Sequence, residues 1–200
     1  MTTLHSKTAL RQHLRQTRNA LSADDVRHAS QRITRTLLEL PQVHAAQHIA
    51  AYSSHHNEVC TTDLIDQLHQ RGCHLYLPVV SHDQTKSLSF HLVTPGQATT
   101  RNRFGIREPN SQQAPAVSTS RLAIMVVPLL GHTAQCDRIG RGGGYYDRCL
   151  SQLRSMEAHC TVIGLAYDCQ LCPSLPTDPW DQALDMVVTP TRIYHRQTAT

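Results

Sequence analysis

One stretch of this sequence limits the possible folds more than any other. The apolar run Leu122–Val127 is followed, after Pro128, by a loop that holds four of the nine glycines of the chain, Gly140 and Gly142–Gly144. A helical pattern then begins at Tyr145. A short aliphatic run that ends at a proline is typical of a buried strand. The stretch therefore predicts a strand–loop–helix unit whose loop backbone can approach a ligand closely, because glycine has no Cβ.

The remaining patterns alternate helices with strands. Helices are predicted over 5–20, from Ser22 to Pro41 and over 62–71, and strands over 48–53, 75–80, 87–93, 161–166 and 185–189. Residues 94–120 are rich in Thr, Asn, Gln, Pro and Ser and predict a long loop. This order predicts one α/β domain over residues 1–200, with three layers, a largely parallel sheet and helices on both faces.

The parallel sheet also predicts where a site would lie. In open α/β sheets, ligands bind beyond the carboxyl ends of the strands. The loops that follow strands 48–53, 122–127 and 161–166 should therefore meet at one edge. These loops carry Glu58, the glycine cluster and Asp181, respectively.

Composition narrows the class of protein. No apolar run approaches the ~20 residues that cross a bilayer, and no signal-peptide core opens the sequence. We therefore expect a cytoplasmic protein without a membrane partner, whose seven cysteines are reduced. The net charge of +4 is spread along the chain, which favours an anionic small molecule over nucleic acid. Cys169 and Cys172 form a C-x-x-C pair, but a zinc site would need two further ligands.

The side chains around the glycine loop indicate phosphate chemistry. Arg138, Arg141 and Arg148 surround it, and guanidinium groups combined with clustered backbone N–H groups form an anion site. The carboxylate of Asp147 suits a phosphate-bound Mg²⁺. The loop is not a Walker A loop, since no Gly-Lys-Ser/Thr follows, and it lacks the G-x-G-x-x-G spacing of dinucleotide-binding proteins.

Residues distant in sequence could complete such a site. Lys7 and Arg11 are four positions apart, so both project from one face of the first helix. Spacing alone is also typical of a solvated basic helix. On sequence position alone, Glu58 is also typical of a surface acid or a helix cap, and Asp181 is also typical of a turn residue.

Taken together, these motifs resemble those of the 5-formyltetrahydrofolate cyclo-ligase family, also called methenyltetrahydrofolate synthetases. The resemblance runs nearly end to end. It rests on segments spread along the whole chain: Lys7–Arg11, Tyr52–Ser53, Glu58–Thr61, Leu77–Val80, Phe104–Pro109, Val127–Pro128, Arg138–Arg148, Gly164–Asp168 and Asp178–Asp181.

The resemblance implies an enzyme that uses ATP and Mg²⁺ to convert 5-formyltetrahydrofolate into 5,10-methenyltetrahydrofolate, and that acts as a monomer on small molecules. It implies catalytic roles for Arg138 and Tyr145, and metal-binding roles for Asp147 and Asp181. Ser53 and Glu58 would contact the folate. The nucleotide would be bound by Lys7, Arg11, Arg138, Ile139, Gly140, Arg141, Gly142, Gly143, Gly144, Tyr145 and Tyr146.

The sequence departs from the family pattern just before the glycine loop. Where the family has Ala-Phe-Asp and then a turn glycine, this chain has Gly131-His132-Thr133 and Cys136. The departure leaves open a non-catalytic protein that binds ATP or folate. Fold analogy alone would also allow a sugar-phosphate or acyl-transfer enzyme, although Lys7, Arg11 and the Gly-Gly-Tyr-Tyr-Asp run argue against it.

Overall fold

The computed structural model describes residues 6–81, 83, 85–156 and 158–197. The helices are α1 (Lys7–Asn19), α2 (Ala23–Glu39), α3 (Pro41–Ala45), α4 (Thr62–Gln70) and α5 (Tyr145–Ser155). The strands are β1 (His48–Ala50), β2 (His74–Val80), β3 (Leu88–Val93), β4 (Thr99–Arg101), β5 (Arg107–Pro109), β6 (Ala116–Val117), β7 (Ile124–Pro128), β8 (Gly131–His132), β9 (Arg138–Ile139), β10 (Thr161–Leu165), β11 (Met186–Val188) and β12 (Ile193–His195).

Eight strands form the main sheet, in the order β12-β11-β10-β7-β1-β2-β3-β6. The five central strands, β11 to β2, are parallel. The outer strands β12, β3 and β6 are antiparallel to their neighbours. From β1 the chain first moves outward through β2 and β3, and it later returns to β7 on the other side of β1. The strand order therefore reverses between β1 and β7, and a crevice for ligands is expected beyond their carboxyl ends.

Helices cover both faces of this sheet. Successive residues of a strand point to opposite faces, so Ile124 and Met125 of β7 belong to different cores. Ile124 lies in a cluster with Leu37 of α2 and Leu64 of α4. Met125 lies in a second cluster with Leu150 of α5. The predicted three-layer α/β fold with a largely parallel sheet is confirmed.

Helix α1 packs at the edge of these layers and not on a face of the sheet. Its N-cap is Ser6, whose hydroxyl accepts a hydrogen bond from the Ala9 N–H at 3.1 Å. Its buried residues Leu10 and Leu14 form a third, smaller cluster with Leu130, Ile139 and Cys172. This cluster attaches α1 to the β8–β9 hairpin, directly beside the glycine loop.

The structure corrects several element boundaries. The predicted strand 48–53 ends at Ala50, because the chain then leaves the sheet. Helix α2 ends at Glu39, just before Pro41 as predicted, but Pro41 also begins the short helix α3, which was not predicted, as suits proline at a first helical turn. The first predicted helix, 5–20, begins at Lys7, and residue 5 lies outside the described residues. Strand β12 was not predicted.

The largest correction concerns residues 94–120. This segment contains the β4–β5 hairpin and the edge strand β6 in addition to loops. Its strands are two or three residues long and mostly exposed, so they carry no hydrophobic alternation by which they could be found. In the described part of the chain, no helix is both long and apolar enough to cross a membrane.

Candidate active site

Two cavities open at the crevice beyond β1 and β7, one on each side of the glycine loop. The first has a volume of about 570 Å³ and is lined mainly by charged and polar groups, among them Lys7, Arg11, Lys86, Arg148, Asp178 and Asp181. The second, of about 360 Å³, has mainly apolar walls and includes Ser53, Glu58, Val80, Leu88, Phe104 and Leu129. Both cavities are lined by Arg138, Gly140, Gly142, Gly143, Gly144 and Asp147.

The glycine loop owes its shape to two residues in the left-handed region, Gly142 (φ 99°) and Gly144 (φ 74°). Gly144 is also the N-cap of α5, so the unpaired N–H groups of the first helical turn face the loop, where they attract anions. Arg11 fixes the loop from the other side, because its Nε donates to the Gly140 carbonyl at 3.0 Å. A Cβ on Gly142 would lie 3.4 Å from the Arg11 Cζ.

Lys7 joins the two ends of the chain in the first cavity. Its Nζ lies 2.5 Å from a carboxylate oxygen of Asp178 and 2.5 Å from one of Asp181. Burial would lower the pKa of Lys7, but the hydrogen bonds and charges of the two carboxylates outweigh it and raise that pKa. Burial is the largest single influence on the pKa of Asp181 and would raise it, but the hydrogen bonds from Lys7 and from the Asp178 N–H, together with the nearby positive charges, outweigh burial and the pKa is lowered. Lys7 and Asp181 are therefore both charged near neutral pH.

Arg138 lies where the two cavities meet. Its guanidinium is buried and forms an ion pair with Asp147, from Nη2 to Oδ1. Its Nε has no hydrogen-bond partner among the described residues. A buried donor without a partner is uncommon in proteins. Because Arg138 lines both cavities, its guanidinium can donate to a ligand group that enters from either side.

Glu58 is the acid of the second cavity. Its side chain is only 6% exposed, and one carboxylate oxygen accepts from the His55 N–H at 3.0 Å. The other oxygen lies 3.8 Å from a guanidinium nitrogen of Arg18 and 3.8 Å from one of Arg141. Burial raises the pKa of Glu58, and the nearby Arg18 and Arg141 offset only part of that rise.

The β4–β5 hairpin, which falls in the predicted loop, forms one wall of the second cavity. At its tip, Arg103 Nη2 donates to the Tyr145 hydroxyl at 2.5 Å. The Phe104 ring meets the Tyr145 ring edge-on, with 6.0 Å between centroids. Asn102 shapes the tip by accepting the backbone N–H groups of Phe104 and Ile106.

Every residue that the sequence nominated for the site lines at least one of the two cavities. Three of the residues predicted to bind the nucleotide line only one of the two cavities. Arg141, Tyr145 and Tyr146 line only the second, apolar cavity. For Tyr145 and Tyr146 the reason is the direction of α5: neighbouring residues of a helix project in different directions, and it is Arg148, Ser151 and Gln152 that face the first cavity. Arg141 precedes α5 and lies 3.8 Å from Glu58, on the side of the second cavity.

Sequence reasoning missed several cavity residues. The chain has only two lysines, Lys7 and Lys86, and both line the first cavity. Lys86 lies in the polar loop before β3, and no sequence motif or spacing pattern marked it as a site residue. Asp178 and Trp180 belong to a segment that carries the family resemblance, which implied no role for either, although both line the first cavity.

The departures from the family pattern lie beneath the glycine loop. The Thr133 hydroxyl accepts from the backbone N–H groups of Gln135 and Asp137 and donates to the Asp137 carboxylate at 3.0 Å. Cys136 is buried and takes the left-handed conformation, with φ 65°, which favours glycine. Neither Thr133 nor Cys136 lines either cavity, so both act on the site through the turn that supports the loop.

Comparison with known proteins identifies the family. A sequence model of the 5-formyltetrahydrofolate cyclo-ligase family matches residues 3–190. The chain belongs to this family. It is 33% identical to the 5-formyltetrahydrofolate cyclo-ligase of Escherichia coli strain K12 over 181 residues, covering 90% of this chain and 98% of that protein. It is 35% identical to the Haemophilus influenzae protein of the same name, over 88% of this chain and 92% of that one.

Solved structures agree with this membership. The NMR structure of 5,10-methenyltetrahydrofolate synthetase from Aquifex aeolicus superposes with a TM-score of 0.83 at 27% identity, covering 97% of this chain and 94% of that one. The synthetase from Mycoplasma pneumoniae superposes with a TM-score of 0.74 at 27% identity, over 92% and 99% of the two chains. The resemblance seen in the motifs is thereby confirmed. This member of the cyclo-ligase family is a ligase of folate metabolism.

Proposed function

We propose that this protein cyclises 5-formyltetrahydrofolate to 5,10-methenyltetrahydrofolate, with ATP as co-substrate and ADP and phosphate as the other products. One observation carries the proposal: a charged cavity and an apolar cavity share the glycine loop, Arg138 and Asp147. A phosphoryl group bound at this junction would touch both substrates. The family match supplies the identity of those substrates.

The triphosphate of ATP fits the first cavity. Lys7, Arg11 and Lys86 provide cations there. The backbone N–H groups of the glycine loop and of the first turn of α5 provide further donors, and the helix dipole favours negative charge at that end. Together, these groups would fix the γ-phosphate next to Arg138.

The folate fits the second cavity. The Glu58 carboxylate can accept two parallel hydrogen bonds from the amino edge of the pterin, whose donors form a fixed fork. Val80, Leu88 and Phe104 offer apolar surface to the flat ring system. Ser53 lies in the same lining and adds a hydroxyl.

In the proposed reaction, the formyl oxygen attacks the γ-phosphorus and the bond from that phosphorus to ADP breaks. The N10 nitrogen then attacks the formyl carbon and loses its proton, which leaves with the phosphate, and the carbon–oxygen bond to phosphate breaks as the ring closes. Phosphoryl transfer depends mainly on positioning and on stabilising charge. Arg138 would stabilise the transferring phosphoryl group. Tyr145, held by Arg103, would position the folate beside it.

Asp147 and Asp181 would hold Mg²⁺. Both line the first cavity, where Asp178 adds a third carboxylate. Among the described residues, no three His, Cys, Asp or Glu side chains are grouped closely enough to bind a metal alone. The residues nevertheless fit, because Mg²⁺ is usually held by one or two carboxylates together with substrate phosphates and water. When bound, the ion would neutralise charge on the phosphates.

The test is a spectrophotometric assay of the purified protein with 5-formyltetrahydrofolate and Mg·ATP. We expect the methenyl chromophore to form together with one ADP per product. Asp147→Asn should reduce turnover at least about tenfold and shift the Mg²⁺ dependence. The fold should be retained but the melting temperature should fall, because the buried Arg138 loses its ion-pair partner. ATP binding without any chromophore would replace this proposal with the non-catalytic binding protein. A cytoplasmic location and a monomeric state stay predictions from the sequence.

A further inference from the structure

We propose that Arg18, in the last turn of α1, is a positioning residue that keeps the Glu58 carboxylate ionised and oriented towards the folate. Neither the motifs nor the spacing of the sequence pointed to Arg18. The inference rests on the proposed function, since it assigns Glu58 to the folate. It concerns a residue that lines neither cavity.

The geometry places Arg18 directly behind Glu58. The Arg18 side chain is 3% exposed, and its Nη1 lies 3.8 Å from a Glu58 oxygen. Its Nε and Nη1 have no hydrogen-bond partner among the described residues. Burying a guanidinium with so few hydrogen bonds is costly. Such a group is therefore a poor structural element, and its position is better explained by the charge that it faces.

Arg18 is the dominant cation among the groups around Glu58. Arg141 lies at the same 3.8 Å, but its side chain is 41% exposed, so solvent and salt screen its charge. The loop of Glu58 itself contributes His55 and His56. The phenols Tyr52 and Tyr146 face Glu58 from the end of β1 and from α5.

The charge of Arg18 changes what Glu58 can do. An ionised carboxylate is an acceptor only, as the donors of the pterin edge require, whereas a protonated one presents an O–H. Burial raises the pKa of Glu58 and Arg18 is the largest opposing influence. Without Arg18 that pKa rises further, so a smaller fraction of Glu58 is ionised at a given pH. As the pH is lowered, the variant without Arg18 should therefore lose its affinity for folate at a higher pH than the wild type does.

The experiment compares Arg18→Met, which keeps the bulk and removes the charge, with Arg18→Lys, which keeps the charge. KM for 5-formyltetrahydrofolate and for ATP are measured from about pH 5.5 to 8.5, with the non-enzymatic rate subtracted. In Arg18→Met we expect KM for folate to rise about tenfold and the acid limb of kcat/KM to move up by about one pH unit. KM for ATP should change less than about twofold, and Arg18→Lys should restore most of the acid limb.

Two further variants complete the design. Glu58→Gln should flatten the acid limb, because its amide does not titrate. Arg27→Met serves as the matched control, since Arg27 is 57% exposed on α2 and pairs with Asp24, and it should behave as the wild type.

Several outcomes overturn the inference. One is an Arg18→Met enzyme whose two KM values rise equally while the acid limb stays in place, which would make Arg18 merely structural. Another is an acid limb that persists in Glu58→Gln. If Arg18→Met does not fold, Arg18→Lys still tests the inference. An upward shift of its acid limb by about one pH unit, as expected for complete loss of the charge, also refutes it. A wild type without methenyl product refutes the proposed function instead, so the two failures are distinguishable.

Discussion

At the scale of single residues, the site depends on a backbone conformation that glycine alone adopts without strain. Gly142 and Gly72 both lie in the left-handed region, with φ of 99° and 77°. Their surroundings differ. A Cβ at Gly142 would lie 3.4 Å from the Arg11 guanidinium carbon, whereas one at Gly72 would meet nothing within 4 Å. The pair therefore separates the effect of backbone strain from the effect on the phosphate site.

We expect Gly142→Ala and Gly72→Ala each to lower the free energy of unfolding by about 1 kcal/mol, because alanine is strained at positive φ. Only Gly142→Ala should raise KM for ATP, by about tenfold, because the strained backbone and the new methyl group beside Arg11 lie in the proposed phosphate-binding loop itself. Urea unfolding and steady-state kinetics measure the two effects. A similar KM for ATP in both variants would show that the shape of the loop around Arg11 is unimportant for the nucleotide.

The residue types at the glycine loop predicted a phosphate site because a flexible backbone, positively charged side chains and a carboxylate occur together there. Arg18 and Lys86 were not found, for opposite physical reasons. In the sequence, Arg18 is indistinguishable from the solvent-exposed arginines of a helix. It faces Glu58 only because α1 packs against the Glu58 loop. Lys86 is isolated in a polar loop, and only the pairing of β2 with β3 brings it to the first cavity.

At the scale of elements, the packing of α1 decides where Lys7 and Arg11 lie. The helix rests on the β8–β9 hairpin, where Gly131 allows close approach: a Cβ at this position would lie 2.7 Å from Leu14 Cδ1 and 3.2 Å from Ile139 Cγ2. Gly131 is also one of the positions that depart from the family pattern. The glycine that replaces the family's alanine at this position therefore leaves room for the Leu14 side chain, which α1 buries against it.

Gly131→Ala should lower the free energy of unfolding by about 1–2 kcal/mol through overpacking and raise KM for ATP, because α1 carries two of the phosphate cations. Combining it with Leu14→Val, which removes the clashing methyl group, should recover about 1 kcal/mol relative to the sum of the single changes. The measurement is a double-mutant cycle by urea unfolding. Strict additivity would mean that Gly131 and Leu14 do not limit the packing of α1.

Elements with strong periodicity were predictable, and those without it were not. The buried strands and the helices α2, α4 and α5 follow from apolar spacing, as does the three-layer arrangement. The β4–β5 hairpin has strands of only three residues, of which β4 is exposed, and its turn depends on hydrogen bonds to Asn102. Such a hairpin is stabilised by tertiary contacts, including those with Tyr145, that local sequence does not contain.

At the scale of the whole molecule, the site joins the two ends of the chain. Lys7 precedes Asp178 by 171 positions and Asp181 by 174, yet it binds both carboxylates. Folding must therefore complete α1 and the loop after β10 together before the first cavity exists. The side chains of Lys7 and Asp181 are 18% and 19% exposed, so their interaction is screened only in part.

This ion pair makes a specific contribution to the pH dependence of stability. The folded-state pKa of Asp181 is lowered, so its contribution is complete above the unfolded pKa of about 4 and is lost as pH falls through the folded value. We expect Lys7→Met to be about 1 kcal/mol less stable than Lys86→Met near pH 7. Lys86 is the matched control because it is the other lysine of the chain and lines the same cavity.

The difference between the two variants should begin to shrink only as the pH of urea unfolding falls below about 4, and it should approach zero once the pH is below the lowered folded-state pKa of Asp181, because a protonated Asp181 no longer attracts the ammonium group. A difference that stays constant over this range would show that Lys7 stabilises the fold through the packing of its aliphatic stem. In that case the carboxylates would not depend on Lys7 for their placement. Its proposed role would then be limited to the phosphates of ATP.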